Sequence, residues 1–101
     1  MRILVFFDLP SSTKEDKKEY IKFRKHLLKN GFLMLQESVY CKLALNGTAL
    51  QSIIDNIRKY KPEHGLVNIL TITEKQYLKM ETVVGSINKE VIDTDDRLVI
   101  L

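Results

Sequence analysis

Residues 3–7 (ILVFF) form an unbroken apolar run rich in β-branched and aromatic side chains, too short for a buried helix and stopped by Pro10. The pattern predicts a central strand. Strand side chains alternate, so Ile3, Val5 and Phe7 point to one face, Leu4 and Phe6 to the other, and both faces need cover. Asp8 closes the strand. Beyond it the period changes: Tyr20, Ile21, Phe23, Leu27 and Leu28 fall on one arc at 100° spacing, which predicts a helix over residues 13–29 with Gly31 as its left-handed stop. Ser12 with Glu15 fits a capping box at its start. Residues 13–19 contain no apolar side chain, so the first two turns are expected to project beyond the core. Arg24 falls inside the packing arc, where it can snorkel from the edge or pair with a carboxylate.

Residues 32–35 and 38–45 read as a tight hairpin around Gln36 and Glu37, with Val39, Cys41 and Leu43 alternating against Ser38, Tyr40 and Lys42. Asn46-Gly47 turns the chain, and Thr48 with Gln51 can cap a helix in which Ala49, Leu50, Ile53, Ile54 and Ile57 share a face. Pro62 ends that helix, and residues 66–73 form another apolar strand. Strand, helix, strand, strand, helix, strand is the α+β, ferredoxin-like βαββαβ order, with both helices on one face of a four-stranded antiparallel sheet. The chain is expected to be a single domain over 1–101, with its core in 1–73. A helical turn is expected over 74–80, with short strands over 81–86 and 97–101. Two helices on one face leave the other apolar face of the first strand open. A sheet-to-sheet homodimer would cover it, completed by residues 74–101.

A length of 101 residues, 45% hydrophobic and 29% charged, suits one globular domain with a real core. No apolar run approaches the roughly 18 residues of a membrane span and no signal pattern opens the chain, so a cytoplasmic location is expected. Cys41 stands alone, which excludes an internal disulfide and points to packing. The formal charge of +3 permits a nucleic-acid partner, and its distribution is uneven. Lys14, Lys18, Lys22, Lys25 and Lys29 recur at helical spacing and form one ridge, with Lys17 beside its start. Two readings stay open: a solvated face partly neutralised by Glu15 and Glu19, or a rail for a phosphate backbone that gives affinity without sequence preference. No base-reading motif and no glycine-rich phosphate loop is present. His26, on the flank of the same helix, is expected to be solvated.

The candidate chemistry centres on Asp8. A carboxylate at a strand end stands on the rim of the sheet, where metal and ligand sites are common; the plainer reading is a loop aspartate that turns the chain. The topology places Gln36, Glu37 and Ser38 near it, with His64 and the helix start at Lys14 and Lys17 at the same rim. One carboxylate is poor equipment for Mg²⁺, but a two-fold axis near this rim would let two copies of Asp8 share an ion. His64 is either a weak candidate base or an ordinary loop histidine.

The strand ending in Phe6-Phe7-Asp8, the lysine-rich helix ending in Lys29-Asn30-Gly31-Phe32 and the hairpin Gln36-Glu37-Ser38-Val39-Tyr40 closely resemble the small subunit of the CRISPR spacer-acquisition complex, nearest to type II systems. The resemblance covers nearly the whole chain. It implies a ferredoxin-like homodimer that bridges integrase dimers and holds duplex DNA, with metal-dependent endonuclease activity in some members. The family's metal-binding, catalytic aspartate falls on Asp8, beside Phe7. Nucleic-acid contacts are expected at Lys14, Lys17, Lys18, Lys22 and Lys25; members of the family often place arginines after that aspartate, where this chain has Lys14, Lys17 and Lys18, which do not make bidentate phosphate contacts. The alternative is a stand-alone, metal-dependent endoribonuclease or toxin-like RNase of similar fold.

Overall fold

A computed structural model describes residues 1–86, in the order β1 (Arg2–Asp8), α1 (Lys14–Lys29), β2 (Leu33–Gln36), β3 (Val39–Leu43), α2 (Gly47–Lys59), β4 (Leu66–Ile72) and α3 (Glu74–Leu78). The four strands form one sheet in the order β2-β3-β1-β4, with β1 antiparallel to both β3 and β4. This is the ferredoxin-like arrangement expected from the element order. The strand expected at 97–101 lies outside the described residues. Residues 81–86 form no strand; they are exposed and irregular.

Local chemistry fixes the helix ends, though not at the residues first expected. Thr13, not Ser12, caps α1: it is extended (φ −115°, ψ 168°), and its hydroxyl accepts from the Asp16 amide at 3.0 Å. Ser12 sits one residue too early to reach that orphan amide. In α2 the cap is Asn46 rather than Thr48, its side-chain oxygen accepting from the Ala49 amide at 2.8 Å. Gly47 therefore opens the helix instead of completing a turn. Gly31 (φ +88°) supplies the left-handed stop after α1, as its position suggested.

The alternation along β1 sorts the core into two unequal halves. Ile3, Val5 and Phe7 pack with Phe23 and Leu27 of α1, Ile57 of α2, Phe32, Tyr40 and Ala44 in one dry cluster. Phe7 is its aromatic hub. Its ring lies 5.3 Å from Phe23 and 5.9 Å from Tyr20 edge-on, and 5.5 Å from Tyr40 in a stacked pose. On the other face, Leu4 packs with Leu35 and Cys41 beneath Tyr77 of α3. The second face is thus not wholly bare, as helix positions alone had implied: α3 covers the part of it at Leu4, Leu35 and Cys41 from within the chain.

That short helix is held by three devices. Thr73 and Gln76 form a reciprocal capping box, with bonds of 3.0 and 2.8 Å. Arg2 donates from Nε to Glu74 Oε2 at 2.9 Å, and its guanidinium lies 4.4 Å from the Tyr77 ring centroid. Burial works against the Arg2 charge, but the Glu74 hydrogen bond and charge more than offset it and hold the guanidinium above its usual range. The remainder of this face, toward Asp8, stays open.

Candidate functional site

Asp8 is the last residue of β1 and lies opposite Leu66 at the start of β4. By the pleat it shares its face with Phe6 and Leu4, so its carboxylate belongs to the open face of the sheet. Phe7, on the helix side, anchors the strand end in the aromatic cluster and so fixes where Asp8 emerges. The Phe7 amide donates to the Ser38 carbonyl at 3.1 Å, which extends the β1–β3 pairing to the rim. Ser38 adopts φ +62°, turning the hairpin just before β3 instead of lying in the strand. Gly65 (φ +99°) packs its loop against the end of β1: a Cβ there would stand 2.8 Å from the Asp8 carbonyl oxygen, so only glycine lets this loop approach.

These elements enclose a shallow depression of about 190 Å³ lined by Phe6, Phe7, Asp8, Ser38, Val39, Leu66 and Asn68. Three of the expected site residues, Phe7, Asp8 and Ser38, therefore meet. Gln36 does not line it: it is exposed on the edge strand β2, paired with Val39 across an irregularity in register. His64 lines a separate small cleft with Leu9, Pro10, Asp16, Glu19 and Pro62. Asp16 and Glu19 are half-buried there, so the start of α1 leans on two loops on one side instead of projecting freely. Asn68 was not singled out from the sequence, although a lone amide within an apolar strand (LVNILTI) is a readable signal.

The donors around the depression are oxygen-bearing: the Asp8 carboxylate, the Ser38 hydroxyl and the Asn68 amide. That chemistry suits a hard cation such as Mg²⁺. One chain does not complete the set, since no group of three or more acidic, histidine or cysteine side chains able to hold a metal occurs among the described residues. The patch beside Asp8 is apolar and uncovered, with Phe6 36%, Leu66 59% and Leu70 50% exposed.

On the far side of the helical layer, Lys14, Lys17, Lys18, Lys22, Lys25 and Lys29 are all exposed. Arg24 is half-buried at the edge of the packing face, next to Tyr40; burial pushes the Tyr40 hydroxyl up and the Arg24 charge pulls it back, with a net rise. His26 is not solvated. It is half-buried, bonded through Nε2 to Asn56 Oδ1 at 2.7 Å, with its ring 4.3 Å from that of Tyr60. Its partners lie on α2 and just beyond, which a helical wheel of α1 does not display. No helix among the described residues is long and apolar enough to cross a membrane.

Comparison with known proteins identifies relatives of this chain. The family model described as CRISPR associated protein Cas2 matches residues 1–80. A protein of Treponema denticola named CRISPR-associated endoribonuclease Cas2 is 54% identical over 101 residues, covering 100% of both chains. Proteins of the same name from Streptococcus mutans (43% identical, 100% of this chain and 93% of the relative) and Ligilactobacillus salivarius (42%, 100% of both) are similar along the same length.

Proposed function

Because the chain belongs to the CRISPR-associated Cas2 family, we propose that it acts in spacer acquisition as a homodimer that holds duplex DNA on its lysine ridge and bridges dimers of the integrase subunit. The observation that carries this reading is the separation of two surfaces: an open apolar sheet patch at Phe6, Leu66 and Leu70, and an exposed lysine row on the opposite, helical side. A second copy seated on the open patch would leave both lysine rows facing outward. Each lysine would act as a point charge against phosphate and displace condensed counterions.

A second reading is favoured by the place of Asp8 on the same open face. Its relatives are named endoribonucleases, and we propose that this chain shares a phosphodiester-cleaving site of which Asp8 is the catalytic, metal-binding residue. Two copies meeting through this patch would bring two Asp8 carboxylates, with Ser38 and Asn68 oxygens, around one cation. Bound there, Mg²⁺ would supply Lewis acidity and a more acidic water. The chain's own contribution is to aim the carboxylates, through the Phe7 anchor and the close approach of Gly65, and to wall the site with Phe6 and Leu66.

Binding and cleavage of duplex DNA, single strands and RNA, each with Mg²⁺ or chelator, separate the two readings. Tight duplex binding indifferent to chelator supports the DNA-holding role. RNA cleavage lost with chelator supports the second reading, and absence of duplex binding at low salt would sink the first.

A further inference from the structure

The α1 lysines have a facing wall. Between α1 and the end of α2 runs a groove of about 370 Å³, with Lys22, Lys25 and Lys29 on one side and Lys59, Tyr60 and Lys61 on the other. Glu19 is the only carboxylate among its lining residues, against five lysines. The groove is braced rather than assembled from loose side chains. His26 forms part of it, tied to Asn56 at 2.7 Å and with its ring tilted against that of Tyr60 at 4.3 Å, while Asn30 donates to the His26 carbonyl at 2.8 Å. Lys59 Nζ lies 5.5 Å from the Tyr60 ring centroid, and Lys61 Nζ donates to the Arg58 carbonyl at 3.2 Å. Each ammonium keeps donors to spare, since it carries three.

One ordinary explanation accounts for part of this. Cations in the last turn of a helix complement its dipole, which covers Lys59 and Lys29. It extends to Lys61, whose ammonium bonds the Arg58 carbonyl in the last turn of α2, but it does not explain Lys22 and Lys25, in mid-helix and facing the same space. Five like charges around one groove repel, and the single nearby carboxylate does not balance them. A polyanion would.

We propose that this groove is a phosphate track, in which Lys59 and Lys61 together with Lys22, Lys25 and Lys29 hold one sugar–phosphate strand of duplex DNA. The inference rests on the DNA-holding role and deepens it: the interface is a two-walled channel spanning both helices, not a single ridge on α1. From Lys22 to Lys29 the channel runs about 10 Å along the helix axis. Tyr60 and His26 act as positioning residues that hold the walls apart.

The test uses the full chain and two unrelated DNA duplexes, with binding titrated against salt. Lys59→Gln/Lys61→Gln should flatten the slope of log K against log salt by up to about 1.8, equally for both sequences, because each lost duplex contact removes about 0.9. Lys59→Arg/Lys61→Arg should restore it, which a packing defect would not. Lys14→Gln/Lys18→Gln serves as comparator, since those lysines lie on the ridge but not in the groove. If the comparator flattens the slope and Lys59→Gln/Lys61→Gln does not, the channel is overturned and the ridge reading stands. If neither changes it, both fall. A change seen only with duplex RNA would overturn the assignment of DNA as the occupant.

Discussion

The two faces of β1 carry nearly the same kinds of side chain and meet opposite fates. Ile3, Val5 and Phe7 are sealed under two capped helices, whereas Leu4, Phe6 and Asp8 form a gradient from covered to bare: Leu4 lies under Tyr77, Phe6 is partly exposed, and Asp8 stands at the rim. The first face holds the fold together, and the second leaves an apolar patch accessible beside Asp8. An apolar residue in a strand is thus evidence of packing, but the packing partner need not belong to the same chain.

That contrast breaks most easily on the sealed side. Phe23→Ala, which removes a ring 5.3 Å from Phe7, should destabilise the protein by about 3–5 kcal/mol in denaturant unfolding. A loss under about 1 kcal/mol would mean that the two faces do not differ as described. On the open side the expected cost to the fold is far smaller. Phe6→Lys should leave the monomer within about 1 kcal/mol of wild type, since Phe6 is already partly in water, yet convert a dimer to monomer in light scattering at low micromolar concentration. A wild-type chain that is monomeric there would remove the paired-aspartate site. Asp8→Asn sharpens the comparison furthest, with the least disturbance. It keeps size and hydrogen bonding, so melting and duplex binding should persist while any Mg²⁺-dependent cleavage disappears. Cleavage at the wild-type rate in rigorously purified Asp8→Asn would refute the metal assignment.

Much of this division was legible in the sequence, because strand alternation and helical spacing are local rules. The placement of Asp8 on the open face follows from counting along β1, and its meeting with Ser38 follows from antiparallel pairing of β1 with β3. What stayed hidden depends on contacts between distant segments. Tyr77 lies in a five-residue helix, too short to show a period, and its burial depends on an Arg2–Glu74 pair that spans most of the chain. His26 reads as a flank residue until Asn56 and Tyr60 arrive from α2. The caps failed differently. Ser12, Thr13, Asn46 and Thr48 are all competent cap types, and only the extended backbone at Thr13 and Asn46 selects between neighbours. The lysine groove was half legible: its α1 wall is periodic, whereas Lys59 and Lys61 form no pattern until the helices are set side by side.

The position of α3 also makes the open face directional. A second sheet laid across it, as the proposed dimer requires, would meet the outer side of α3 over the buried Tyr77 and be displaced toward the end that carries Phe6, Leu66 and Asp8. A flat apolar surface would let two copies slide past one another by a residue or more; a surface with a raised step at one end does not. The capping box at Thr73 and the clasp between Arg2 and Glu74, remote from the aspartate, would then serve as an alignment key, fixing how two carboxylates face each other without touching either.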